Sequence, residues 1–185
     1  MSLRNPILTV TGALFLGGCQ ASLPPIETVD DVNLPRFMGD WYVIANIPTF
    51  LEEGAHNAVE SYRLDDDGTI ATTFTFRGGG FDGPRKEYHP RGFVRDTDSN
   101  AVWGMQFVWP FKADYRIIHL TPDYQVTVIG RNQRDYVWLM ARTPELSPQR
   151  YQEAVAVIEA AGYDVSKLQR VPQRWPAKAT GDEQP

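Results

Sequence analysis

From Leu34 onward, short runs of alternating apolar and polar residues are separated by turn-forming residues. Eight runs can be read, at 39–47, 57–64, 69–77, 86–95, 101–108, 115–120, 124–130 and 136–142. Alternation with period two predicts strands that bury one face. Asp65-Asp66-Asp67-Gly68 turns the second run back into the third, Asp-Gly supplying the positive φ that a tight hairpin needs. Pro90 interrupts the fourth run. Because proline cannot donate to a ladder, an edge or a bulge is expected there. The short links 121–123 and 131–135 predict antiparallel neighbours in up-and-down order.

The pattern then changes period. Ser147-Pro148 reads as an N-cap followed by proline in the first helical turn. Tyr151, Ala154, Val155, Ile158 and Ala161 recur at helical spacing, and Gly162 supplies the stop. The expected fold is all-β: an eight-stranded antiparallel barrel with one C-terminal helix laid on its outside. No helices alternate with the strands, which excludes a parallel α/β sheet. The residues after Trp175, 176–185, are small and polar and are expected to be a disordered tail.

The 185 residues suit one domain. A net charge of -5 offers no broad basic surface, which argues against nucleic acid. Aromatics make up 12% of the chain and suit half-buried strands and an apolar pocket. Cys19 is the single cysteine, so neither an intramolecular disulfide nor a cysteine zinc site is available.

Residues 1–18 read as an export signal: Arg4 near the amino terminus, an uncharged run too short to span a bilayer, then Gly17 and Gly18. Leu16-Gly17-Gly18-Cys19 resembles the lipobox of bacterial lipoproteins. That resemblance implies cleavage before Cys19 and its acylation, several acyl chains holding a soluble domain on a bilayer where one would not. Gln20 follows where aspartate would favour inner-membrane retention, which implies the outer membrane, facing the periplasm. Residues 19–33 carry Pro24, Pro25, Glu27, Asp30 and Asp31 without apolar periodicity, and are expected to be an extended, solvated tether. The folded domain is then 34–175.

Gly39-Asp40-Trp41 within 33–42 resembles the Gly-x-Trp opening motif of lipocalins, and Arg142 the arginine that stacks on that tryptophan. Thr121-Pro122-Asp123-Tyr124 partly matches the middle motif. Residues 135–144 and 162–167 are similar to bacterial outer-membrane lipocalins related to apolipoprotein D. The resemblance implies that Gly39, Trp41 and Arg142 close the barrel, and that the lumen binds fatty acids or lysophospholipids in envelope maintenance, storage or transport. It leaves a homodimer open.

Taking Trp41 and Arg142 as inward fixes the parity of the first and last strands. Val43, Ala45 and Ile47 follow on one, and Met140, Trp138 and Tyr136 on the other. Trp103, Met105 and Phe107, with Phe74, Phe76, Tyr115 and Ile117, complete the expected cavity wall. Arg77, Arg85, Lys86, Arg91 and Lys112 are candidates to meet an anionic head at the mouth.

Two other readings stay open: a lipocalin-fold enzyme acting on a small lipid, and a structural envelope protein without a cavity. No nucleophile elbow, His-Glu-x-x-His helix or phosphate loop is present in the sequence. His56, His89 and His119 are scattered; His89 beside Glu87 is a candidate base, and His119 a candidate haem ligand. No catalytic residue, metal or cofactor is expected.

Overall fold

A computed structural model describes residues 23–176. The export signal, Cys19 and the tail beyond Pro176 lie outside the described residues. Nine strands form the barrel: β1 (Gly39–Ile47), β2 (Ala55–Leu64), β3 (Thr69–Gly78), β4 (Arg85–Tyr88), β5 (Arg91–Val94), β6 (Val102–Val108), β7 (Phe111–Leu120), β8 (Val126–Gly130) and β9 (Val137–Ala141). All pairings are antiparallel, and β9 returns to β1, with Tyr42 opposite Ala141 and Ile47 opposite Val137. β4 and β5 both pair with β3 and occupy one position between them, so the ring has eight strand positions. The break between them falls at His89-Pro90, where Pro90 still accepts a hydrogen bond from Thr72 N. A two-residue strand, β10 (Gln169–Arg170), adds to the far half of β1.

The run expected at 115–120 begins earlier, at Phe111, because a tight turn brings Phe111 opposite Val108. Residues 23–33 also differ from expectation. They are extended but not solvated throughout: Ile26 and Val32 are buried, Val29 N donates to the carbonyl of Ile117, and Val32 N to that of Ser99. Two apolar side chains anchor what the prolines and acids alone suggested was a free tether.

A short helix, α1 (Leu34–Phe37), is capped by the Asn33 side chain and sets Phe37 under the barrel. The second helix, α2 (Pro148–Ala160), has Ser147 accepting from Arg150 N and Pro148 in its first turn, as the sequence predicts. Two apolar cores result. One fills the inside of the barrel. The other lies between α2 and the outer faces of β1, β8 and β9, where Ile158 meets residues such as Val128 and Leu139. Ile158 is fully buried, so Ile158→Ala is expected to cost about 2–4 kcal/mol in urea unfolding. A loss below about 1 kcal/mol would mean that α2 is not needed to stabilise the barrel.

The outer core overturns one expectation. Ala45 and Ile47 belong to it, not to the lumen. The register of β1 against β9 shifts between Val43 and Ala45, so two residues oppose one. Such a bulge flips the facing of all that follows. Asn46 consequently turns inward.

Candidate functional site

The narrow end of the barrel is sealed. The Arg142 guanidinium lies 3.8 Å above the Trp41 ring, and its nitrogens donate to the carbonyls of Arg36 (2.9 Å), Phe37 (3.0 Å) and Asp40 (2.9 Å). Trp41 Nε1 donates to Phe37 O at 2.8 Å. Gly39 has φ +93, and a β-carbon there would lie 3.3 Å from Arg142 Nη1. Glycine therefore fits both the backbone and the close approach. Above this seal Phe37, Tyr62, Trp103 and Tyr115 form a packed aromatic layer, Trp103 stacking on Tyr115 at 5.1 Å. Val43, Phe76, Ile117 and Met140 are also buried in this inner core. These residues, with Trp103, were expected to wall a cavity. None of the five lines the cavity: Trp103 is packed in the aromatic layer, and Phe76, two residues beyond Phe74 in β3, packs against Phe74 and Tyr88.

The upper barrel is open. A cavity of about 340 Å³ is lined by Phe74, Met105, Phe107, Tyr115, Tyr136 and Trp138, among others. These six are the expected wall residues that the structure brings together. Phe107 stands at the rim, 49% exposed. The turns around the mouth add further apolar groups, with Phe50 and Val108 on the lining and Trp109 and Phe111 largely exposed beside them.

Some of the lining residues outside the expected wall are polar. Glu52, Glu60, Thr72, Asp114 and Arg131 also line the cavity. Glu60 is directly opposite Trp41 on one side and Phe74 on the other, and cross-strand partners share a face. With Trp41 set inward, that pairing is the signal that would have found it. Its Oε2 accepts from Tyr62 Oη, which in turn meets Tyr115 Oη at 2.7 Å. Burial, opposed by the Tyr62 hydrogen bond and reinforced by the charge of Glu52, pushes the Glu60 carboxyl up to about 7. Glu52, on the turn after β1, accepts from Trp138 Nε1 (3.1 Å), Asn46 Nδ2 (3.3 Å) and Thr49 N (3.2 Å). Its pKa is raised as well, chiefly by burial. Arg131 is held by Asp135 (3.1 Å) and Gln133 (2.8 Å), and its Nε is buried without a partner among the described residues.

None of the expected head-group cations lines the cavity. Arg91 pairs with Asp65 at the closed end. Arg85 pairs with Glu87, Arg77 donates to Gly83 O, and Lys112 sits over the Phe93 ring. The histidines lie elsewhere too. His89 pairs with Glu87 at 3.0 Å and is mostly exposed. His119 lines an outer groove with Arg150 and Glu153 of α2, because a register shift in β7 turns it outward.

A family model described as a lipocalin-like domain matches residues 32–173. The outer membrane lipoprotein Blc of Escherichia coli (strain K12) is 29% identical over 180 residues, covering 91% of this chain and 96% of its own. Temperature-induced lipocalin-1 of Arabidopsis thaliana is 31% identical over 159 residues, with 80% and 83% covered. Insecticyanin from the tobacco hornworm Manduca sexta superposes with a TM-score of 0.65 at 14% identity, over 83% of this chain and 86% of that one, and shares the fold.

Proposed function

The chain belongs to the lipocalin-like family, and from that premise we propose that it binds an apolar, chain-bearing ligand, a fatty acid or a lysophospholipid, in the barrel cavity. The observation that carries this reading is the cavity of about 340 Å³ above a sealed floor, walled by Phe74, Met105 and Trp138 and open at one end. An acyl chain gains about 0.8 kcal/mol per buried methylene, so about ten methylenes supply roughly 8 kcal/mol before the costs of association. The flexible Met105 side chain lets the wall adapt to a chain. The protein acts as a binder, not as an enzyme.

In this reading Cys19 carries lipid and holds the barrel on the outer membrane, facing the periplasm, where it stores or moves lipid. Support comes from Leu16-Gly17-Gly18-Cys19 and from relatives named as outer membrane lipoproteins. An acylated amino terminus is expected in mass spectra of the mature protein; a free thiol there would overturn the anchor.

Titrating the domain without Cys19 with a fluorescent fatty acid or lysophospholipid tests the binding. Saturable binding at micromolar concentration is expected. Met105→Trp should fill the cavity and weaken binding at least tenfold, at a folding cost of about 1–3 kcal/mol. Equal affinity in wild type and variant, or no saturation in either, would remove the cavity as the site.

A further inference from the structure

The cavity is greasy, and two of its buried polar residues are carboxylic acids. Glu52 and Glu60 are 7% and 9% exposed, and both line it. The other charged groups on the wall are Asp114 and Arg131; the titratable tyrosines are Tyr115 and Tyr136, with Tyr62 behind Glu60. Among the described residues no lysine or histidine lines it. Asp114 is neutralised by Arg116 at 3.0 Å, and Arg131 by Asp135 at 3.1 Å. Glu52 and Glu60 have no such counter-charge among the described residues.

The two carboxyls differ in how they are satisfied. Glu52 receives hydrogen bonds from three separate donors, so its acceptor capacity is largely used. Glu60 receives one, on Oε2 from Tyr62, and its Oε1 takes none among the described residues. Glu60 is 9% exposed and lines the cavity, so a ligand donor reaching it there would offset the desolvation of its carboxyl. Phe74 is its cross-strand neighbour, and Tyr115 and Trp138 complete an aromatic surround, surfaces that favour cations over anions.

We propose that Glu60 is the specificity-determining residue of this cavity, and that it receives the ammonium end of an amphiphile. This rests on the cavity being a lipid site, and within it favours an amine-bearing chain over a free fatty acid. A carboxylate head at the same depth would face Glu60 and Glu52 without a compensating cation. An ammonium donates to Oε1 and supplies the missing positive charge.

The test uses three ligands of one chain length, dodecylamine, dodecanol and dodecanoate, each below micelle-forming concentration. They compete with the neutral fluorophore N-phenyl-1-naphthylamine for the domain without Cys19. At pH 8 dodecylamine should bind at least tenfold tighter than dodecanoate. Its advantage should shrink several-fold at pH 6, where Glu60 holds a proton while the amine stays charged. Glu60→Gln should remove most of that advantage, and its cooperative urea unfolding shows that the variant folded. Dodecanoate binding as tightly as dodecylamine to the wild type would overturn the proposal, as would a preference unchanged in Glu60→Gln. The wild-type comparison at two pH values decides even if that variant fails to fold. Failure of the neutral fluorophore to bind at all would instead overturn the cavity reading, and this one with it.

Discussion

Replacing Trp41 by alanine is expected to lower the unfolding free energy by about 3–5 kcal/mol, the range for deleting a buried aromatic side chain. Trp41 is fully buried. It packs on Phe37 at 5.0 Å, lies beneath Arg142 and donates to Phe37 O. Alanine removes the packing, the hydrogen bond and the cation–π stack together. The remaining void lies against Phe37 and the Arg142 guanidinium, whose three carbonyl partners fix it in place and limit collapse. Trp41→Phe keeps a ring beneath the cation, and Phe37 O still accepts from Arg142, so about 1–2 kcal/mol is expected there. Trp41 does not line the cavity. Lipid affinity of the folded Trp41→Phe variant should therefore stay near wild type, while urea unfolding reports the loss. A wild-type midpoint in Trp41→Ala would contradict a closed, packed floor.

The second large effect is a pH dependence of stability set by Glu60. Its ordinary value of 4.5 rises to about 7 in the fold, first through burial. The folded state thus favours the protonated carboxyl. Stability from this group is complete below about pH 4.5 and is lost as pH rises through 7. The gap corresponds to about 3 kcal/mol. Glu60→Gln keeps an acceptor for Tyr62 but cannot ionise. The stability of wild type relative to Glu60→Gln should therefore fall by about 3 kcal/mol between pH 4 and pH 8, measured by urea unfolding at each pH. Glu52, whose pKa is also raised, pushes both proteins the same way and largely cancels in the difference. A flat difference would mean that Glu60 ionises inside the barrel without cost.

Much of the fold was legible because strands and helix write their periods into the chain. β1 occupies residues 39–47 as read, and α2 starts at its Ser147-Pro148 signal. Pro90 marked the split between β4 and β5, since a missing donor acts locally whatever surrounds it. The seal was legible through Gly39, Trp41 and Arg142. The cavity was only half legible. Parity says which side of a strand faces in, but not at what height the lumen stops being solid. Trp103 and Met105 share a face of β6, yet one is packed in the floor layer and the other lines the cavity.

The sequence by itself determined the eight-strand period, the outer helix and the net charge of -5, because each depends on near neighbours or on composition, whereas the Trp41–Arg142 seal joins distant residues and was readable only through the family resemblance. Tertiary structure alone decided three other things. A bulge after Val43 sent Ala45 to the outer core and Asn46 inward, and a bulge follows from how strands pair and not from their alternation. The anchoring of Ile26 and Val32 needed surfaces distant in the chain. The turning of Glu60 into the lumen was fixed by its register against Trp41 and Phe74. Ring closure imposes that register even on a carboxyl, whose charge alone would assign it to solvent.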